Sequence, residues 1–114
     1  MIVHRVEHNR RRLRVLVHVC ETRGERARGL LLRPRPDGHT AYLLAPCSAV
    51  HTFGMTYPID VVFCDPEGRV LEIVEHLKPW RVVRNSLADM AWELRAGAAN
   101  SLGIKPGDRI APCQ

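Results

Sequence analysis

The sequence of 114 residues has no apolar run long enough to cross a membrane or to act as a secretory signal. A membrane-spanning helix needs about 20 predominantly apolar residues, and a signal needs an uninterrupted apolar stretch of at least about seven. In the N-terminal stretch MIVHRVEHNRRRLRV, charged residues interrupt every apolar run. If Met1 is the native start, we therefore expect a cytoplasmic protein with no membrane partner.

Closely spaced cysteine pairs are also absent. The four cysteines are Cys20, Cys47, Cys64 and Cys113, and none forms the C-x-x-C pattern of zinc ribbons or thioredoxin-like motifs. Cytosolic thiols are kept reduced, so we expect no disulfide. Most of these cysteines should behave as small buried apolar residues. The pattern gives no reason to expect a metal or another cofactor.

Several sequence motifs of enzymes are missing as well. The chain has no phosphate-binding glycine loop and no nucleophile elbow, and it shows neither internal repeats nor a low-complexity linker. Its length fits one domain, residues 1–114. A chain of this size can bury a core without disulfides or metal.

Charge is distributed unevenly along the chain. Residues 1–35 contain ten Arg against three Glu, a balance of +7, whereas residues 36–114 contain seven Lys and Arg against nine acidic residues, a balance of −2. A basic segment of this kind could contact phosphates. Because no nucleic-acid motif accompanies it, we interpret it as a solvated face. Binding of a nucleic-acid backbone remains a lesser alternative.

Alternating apolar residues predict a β-rich fold. Residues 13–19, LRVLVHV, alternate with period two, and residues 2–6 could be their hairpin partner. DPEG at 65–68 fits a type I turn between two strands. Short strands are expected at 41–45, 59–64, 69–74 and 91–95 and at the C-terminus. We read residues 76–85, HLKPWRVVRN, as a looser segment.

A short helix should interrupt these strands. Thr22 can cap it, and Glu25 can return a hydrogen bond to the Thr22 backbone amide. The predicted helix runs from about Arg23 to Leu32, with Ala27, Leu30 and Leu31 on its apolar face. One or two further helical turns are expected in the stretch AGAANSLGIKPGDRI, where Gly103 stops them. The expected fold is therefore a compact, mainly β sandwich or barrel, jelly-roll-like, with one or two short helices. The first helix would cover a sheet edge or barrel mouth.

The motifs, taken in order, resemble a prokaryotic family of unknown function, DUF 192. They are ERARGLLLR, FGMTYPIDVVFCDPEGRVLEI, AWELRAG and GIKPGD, and the resemblance spans about residues 13–112. It implies a compact β-sandwich or jelly-roll domain and no established activity. Members typically carry WMKNT where this chain has HTFGM, so Phe53 and Gly54 occupy the positions of the usual Lys and Asn. A site built on that Lys and Asn cannot be transferred to this chain.

The stretch HTFGMTYPIDVVF is the strongest candidate for a site. It begins as a loop and ends as the most apolar strand. Gly54 permits unusual backbone conformations, and Pro58 fixes its own φ and favours an extended residue before it. We predict a rigid recognition loop from His51 to Pro58, at one end of the sandwich. The predicted binding residues are His51, Thr52, Met55, Tyr57, Asp60, Trp80 and Arg81.

Other interpretations of the same stretch remain open. Phe53, Met55 and Tyr57 could all point inward and extend the core. A His51–Asp60 pair could support acid–base chemistry in a small hydrolase, although Asp at a strand start commonly accepts hydrogen bonds from loop amides. Cys47 and His51 could form a nucleophile and base or share a metal, but a regular strand would separate them by roughly 13 Å.

These observations rank a non-catalytic binding module above an enzyme. A compact sandwich of this length has little room for a water-excluding cleft. The expected partner is a small ligand or another protein, with nucleic acid a poorer fit. The sequence leaves the oligomeric state open.

Overall fold

The computed structural model describes residues 2–113, and their fold is mainly β, as predicted. These residues form strands and two short helices in the following order: β1 (Ile2–His8), β2 (Arg11–Cys20), α1 (Arg23–Arg28), β3 (Thr40–Leu44), β4 (Ala49–His51), β5 (Ile59–Cys64), β6 (Val70–Leu77), β7 (Val82–Arg84), β8 (Met90–Arg95), α2 (Ala98–Ser101) and β9 (Ile110–Cys113). Neither helix is long and apolar enough to span a membrane, as judged over the described part of the chain.

Seven strands form one mixed sheet in the order β6-β5-β8-β3-β2-β1-β9, and β4 pairs with β7 in a separate ribbon. All neighbours in the large sheet are antiparallel except β2 and β3, which are parallel. A parallel pair needs a crossover connection, and α1 lies in it. The edge strands β6 and β9 approach each other through one isolated bridge, between Arg69 and Arg109.

Strands β1 and β2 form the hairpin that the alternating apolar residues predicted. The connection between β1 and β2 is only Asn9 and Arg10, which both have positive φ, +49° and +69°. Two-residue hairpin turns favour such φ values, so both strands are longer than predicted. Val15 and Val17 are buried on the inner face, whereas the arginines of the hairpin are exposed.

Helix α1 begins as predicted but ends earlier. Thr22 accepts a hydrogen bond from the Glu25 amide at 3.1 Å, and the Glu25 carboxylate accepts from the Thr22 amide at 3.0 Å, which completes the capping box. The expected end at Leu32 is wrong, because the helix stops at Arg28 and Gly29 takes φ +46°. Leu30 is buried beyond the helix and anchors this segment.

The core consists of two apolar clusters separated by the large sheet. All six residues of β5 are buried, and its sequence, IDVVFC, is apolar except for Asp60. Val62 and Cys64 pack in one cluster with Trp92, whereas Ile59 and Phe63 pack in the other. The second cluster supports the residues of the candidate site.

Candidate functional site

Thr52 ties together the two segments that carry the predicted binding residues. Its hydroxyl donates to the Lys78 carbonyl at 2.7 Å and accepts the Arg81 amide at 3.0 Å. Its backbone carbonyl accepts the Trp80 amide at 3.0 Å, and its own amide donates to the Arg81 carbonyl at 2.9 Å. Thr52 is fully buried, so it holds the frame of the site and offers nothing to a ligand directly.

Three rings lie side by side on this frame and face outward. The ring centroids of His51 and Phe53 are 5.3 Å apart, and those of Phe53 and Trp80 are 6.0 Å apart. Phe53 is 46% exposed and Trp80 is 63% exposed. Val82, 48% exposed, lies opposite His51 in the β4–β7 ribbon, on the same face as its cross-strand neighbour. We call His51, Phe53, Trp80 and Val82 the aromatic patch.

The backbone at Trp80 has an unusual conformation. Its φ is +64°, in the left-handed region that bulky residues rarely adopt. The hydrogen bonds around Thr52 hold it there, and the exposed Arg81 follows it. Strained backbone held by its surroundings is typical of functional sites. The backbone that carries the Trp80 side chain is therefore fixed by hydrogen bonds to Thr52.

Met55 and Tyr57, predicted as binding residues, act mainly as anchors. Met55 is only 7% exposed and packs in the second apolar cluster. The Tyr57 hydroxyl lies 3.0 Å from the Arg33 carbonyl and 3.3 Å from that of Leu30, and burial raises its pKa. Since Phe53 is exposed, the three residues do not all extend the core.

Asp60 is fully buried and engaged with backbone amides. Its Oδ1 accepts the His76 amide at 2.9 Å, and its Oδ2 accepts the amides of Gly97 and Ala99 at 3.0 and 3.1 Å. His51 lies on the exposed ribbon, where its Nδ1 accepts the Phe53 amide at 3.3 Å. The structure therefore does not bring His51 and Asp60 together as an acid–base pair.

A cleft of about 400 Å³ adjoins the aromatic patch, and His51 lines both. Its walls come from α1, from the connection between β3 and β4, and from the centre of β8. The lining residues with polar or polarisable groups include Arg26, Arg28, Cys47, His51, Met55 and Glu93.

Glu93 is the residue of this cleft that the sequence analysis missed. It is 4% exposed, and its Oε1 accepts the Leu30 amide at 2.9 Å. Burial raises the pKa of its carboxyl to about 7, although the Leu30 hydrogen bond and the positive charge of Arg33 act in the opposite direction. A signal was present in the sequence, because Glu93 interrupts the apolar strand AWEL.

Cys47 lines the cleft, and its thiol contacts the backbone. Its Sγ donates to the Ala49 carbonyl at 3.1 Å. Burial raises the pKa of this thiol, and the nearby Glu93 carboxyl raises it further. Since the thiolate is the reactive form, this setting disfavours Cys47 as a nucleophile. The described residues also contain no group of three or more side chains placed to hold a metal.

Comparison with known proteins agrees with the fold and with the resemblance seen in the motifs. The model of the DUF192 family, described as Uncharacterized ACR, matches residues 4–112. A UPF0127 protein of Pyrococcus abyssi is 30% identical over 100 residues, which cover 82% of this chain and 83% of the relative. A UPF0127 protein of Thermococcus sibiricus is 29% identical over 99 residues, 82% of this chain and 64% of the relative.

Two crystal structures share the architecture. One, a proposed transcription regulator from Sinorhizobium meliloti, has a TM-score of 0.87 at 21% identity and covers 97% of this chain and 94% of its own. The other, a protein of unknown function from Novosphingobium aromaticivorans, has a TM-score of 0.76 at 23% identity, with 85% and 76% covered. At these identities the likeness shows the fold alone.

Proposed function

Since the chain belongs to the DUF192 family of uncharacterised proteins, we propose its function from its own surface: a non-catalytic module that binds a protein partner through the aromatic patch. The observation that carries this proposal is the row of exposed rings formed by His51, Phe53 and Trp80. The chain has only two each of Phe, Tyr and Trp, and one Phe and one Trp are exposed side by side here.

The composition of the patch suits a protein interface. Aromatic residues and Arg are enriched where proteins bind one another, and Trp, Tyr and Arg contribute most of the binding energy. Trp80 and Phe53 could enter pockets of a partner, while Arg81 at the side could pair with its acidic groups. Because Thr52 fixes the backbone beneath them, little conformational freedom is lost on binding.

The groups that could have supported catalysis are used otherwise. Both Asp60 oxygens accept backbone amides, and the Cys47 thiol donates to a carbonyl and has a raised pKa. A general base must reach the proton that it removes, and Asp60 is fully buried. These observations support a binding role over the alternative of a hydrolase built on His51 and Asp60.

We place the protein in the cytoplasm as part of the same proposal. No disulfide joins the four cysteines, which all lie within the described residues. A reducing compartment keeps such thiols free of disulfide bonds. Recovery of the native protein in a periplasmic or secreted fraction would contradict this assignment.

The test is quantitative capture of a partner by variants of the patch. Wild-type protein is immobilised and incubated with lysate of the source organism, and captured proteins are identified and titrated back individually. Phe53→Ala and Trp80→Ala should each lower the affinity for a genuine partner by at least about tenfold, as truncation of an interface hot spot does. Leu87→Ala, which removes an exposed apolar side chain outside the patch, is the matched control and should bind as wild type does.

Circular dichroism and urea unfolding must show that each variant remains folded. If partners bind the two patch variants and wild type with equal affinity, the aromatic patch is not the recognition surface. Equal loss of binding in Leu87→Ala would also contradict the proposal, because it would indicate general apolar adhesion.

A further inference from the structure

The Glu93 carboxyl at the cleft is a buried acid that forms no ion pair with the described residues, although the charge of Arg33 acts on it. Among the described residues, the ion pair present joins His8 and Asp108, which are distant from Glu93 in the sequence. The Glu93 Oε1 accepts the Leu30 amide, whereas its Oε2 has no hydrogen bond within the described structure. An ionised carboxylate in such a place is costly unless something pairs with it.

The backbone at Gly29 packs against the Glu93 carboxyl and lies closer to Oε1 than to Oε2, since a Cβ at that position would be 3.1 Å from Oε2. A Cβ at Gly29 would lie 2.4 Å from Oε1, so the backbone at Gly29 and Leu30 covers that side. Glu93 nevertheless lines the cleft on its other side. The carboxyl is therefore fixed in position by the protein and belongs to the wall of the cleft.

Charged and titratable groups surround this carboxyl on several elements. They are Arg26 and Arg28 on α1, Arg33 after it, Cys20 on β2, Tyr42 on β3, and Cys47, His51 and Tyr57 around β4 and the loop that follows.

The three arginines have other partners. Arg26 donates to the Glu21 carbonyl, Arg28 to the Leu31 carbonyl, and Arg33 to the Gly29 carbonyl at 2.7 Å. They therefore lie around the carboxyl without neutralising it.

We propose that the cleft binds a primary ammonium group carried on an unbranched alkyl stem, with the Glu93 carboxylate as its anchor. This goes beyond the aromatic patch and does not depend on it. An ammonium group donates three hydrogen bonds and has the opposite charge, so it satisfies the open Oε2 directly. Attraction between the two charges is strongest where water is excluded.

The walls of the cleft match the stem of such a ligand. Ala27, Leu44, Val50 and Met55 supply apolar surface, against which methylene groups can pack. Arg26 and Arg28 also line the cleft and would repel a cation. Because no residue of α1 is buried, water screens the charges of these two arginines. The buried Glu93 is screened much less, so its attraction dominates at the bottom of the cleft.

The experiment titrates n-butylammonium chloride into the ¹⁵N-labelled protein at constant ionic strength and follows amide chemical shifts. n-Butanol has a similar stem without the charge and is the matched control ligand. We expect saturable shifts for n-butylammonium at Leu30, Glu93 and the lining residues around Cys47. n-Butanol should bind at least about tenfold more weakly, as expected when the ligand cannot pair with a buried charge.

The pH dependence of n-butylammonium binding gives a second readout. The pKa of Glu93 is about 7, and only the ionised carboxylate pairs with the ammonium group. The apparent affinity scales with the ionised fraction, so n-butylammonium should bind about tenfold more tightly at about pH 8 than at about pH 6. Glu93→Gln keeps an oxygen for the Leu30 amide but removes the charge, and it should abolish both binding and this pH dependence. Glu75→Gln changes an exposed acid and should alter neither.

Equal binding of n-butanol, retained binding in Glu93→Gln, or no saturable shift at about pH 8 would each overturn the proposal. A pH dependence that persists in Glu93→Gln would show that another group causes the effect and would also overturn it. Trp80→Ala should leave n-butylammonium binding unchanged, which separates this inference from the aromatic patch.

Two sources could supply the ammonium group, a free alkylamine or a lysine side chain of a polypeptide. Nα-acetyl-lysine N-methylamide distinguishes them, with the norleucine analogue as its uncharged control. Tighter binding than n-butylammonium, with shifts that extend to His51 and Phe53, would support a lysine side chain. Weaker binding than n-butylammonium would support a free amine.

Discussion

Gly29 passes so close to Glu93 that a Cβ at position 29 would lie 2.4 Å from the Glu93 Oε1. The same glycine has φ +46°, and the next amide, of Leu30, donates to that oxygen at 2.9 Å. Real Cβ atoms do not approach other atoms this closely, and the positive φ disfavours any side chain. The end of α1 and the floor of the cleft therefore form one structural unit.

Replacing Gly29 should damage this unit. Gly29→Ala introduces both a clash and left-handed strain, and moving the backbone away would leave the buried Glu93 without its amide partner. We expect a loss of about 2–4 kcal/mol in the free energy of unfolding, measured by urea denaturation. Gly24→Ala is the control, because no atom lies within 4 Å of a Cβ at that position; in helix α1 it should stabilise the protein by up to about 1 kcal/mol. Equal effects of the two variants would refute the close contact.

Glu93 should make stability depend on pH near neutrality. Burial raises its pKa from 4.5 to about 7, so within this window the folded protein retains a proton that the unfolded chain has released. Stability should therefore fall as the pH rises from about 4.5 to about 7, by on the order of 3 kcal/mol in total, and then level off. Glu93→Gln should remove this contribution.

The comparison of wild type with Glu93→Gln isolates that effect from other titrating groups. The pKa values of Glu25 and Asp108 are lowered to about 2 by hydrogen bonds, so their contributions are lost only as the pH falls below about 4. Urea denaturation at about pH 5 and about pH 8 provides the measurement. If the difference between the two proteins is the same at both pH values, Glu93 does not have a raised pKa.

We expect Asp60 to stabilise the fold, so that even the conservative change Asp60→Asn destabilises the protein. Asp60→Asn places a donating amide where amides of His76, Gly97 and Ala99 already donate. Loss of a charged acceptor should reduce the free energy of unfolding by about 2–3 kcal/mol. Asp89→Asn, on an exposed residue, should change it by no more than about 0.5 kcal/mol. A stable Asp60→Asn protein would reopen the possibility that Asp60 serves in chemistry.

Truncation to Ala should distinguish the buried residue of the predicted recognition loop from the exposed rings by its effect on stability. Met55→Ala removes a buried side chain and should cost about 2–5 kcal/mol of stability. His51→Ala and Trp80→Ala remove exposed rings and should each cost less than about 1 kcal/mol. Urea unfolding of the three variants side by side is the check, and large losses in all three would show that the patch is part of the core.

Local sequence signals predicted the local structure of this chain well. Thr22 and Glu25 form the expected capping box, and β5 occupies the predicted residues 59–64. In the predicted type I turn, the Gly68 amide donates to the Asp65 carbonyl at 3.0 Å. These features depend on neighbours in sequence, so periodicity and turn chemistry are sufficient to find them.

Features that depend on distant contacts could not be predicted in this way. Strands β4 and β7 have three residues each and exist because they pair across 32 intervening positions, from Val50 to Val83. The early end of α1 follows from the approach of Gly29 to Glu93. Likewise, the loop after His51 turns, so the period-two pattern could not tell the buried Met55 from the exposed Phe53.

The measurement that tests the central claim most directly is an NMR map of the surface that a partner covers. The ¹⁵N-labelled protein is titrated with a partner purified by capture on wild type, and amide and indole shifts are recorded. A recognition site on the aromatic patch predicts that the largest shifts occur at the Trp80 indole N–H and the amides of His51, Phe53 and Arg81. Largest shifts on the arginine-rich hairpin of β1 and β2, with Trp80 unchanged, would contradict it.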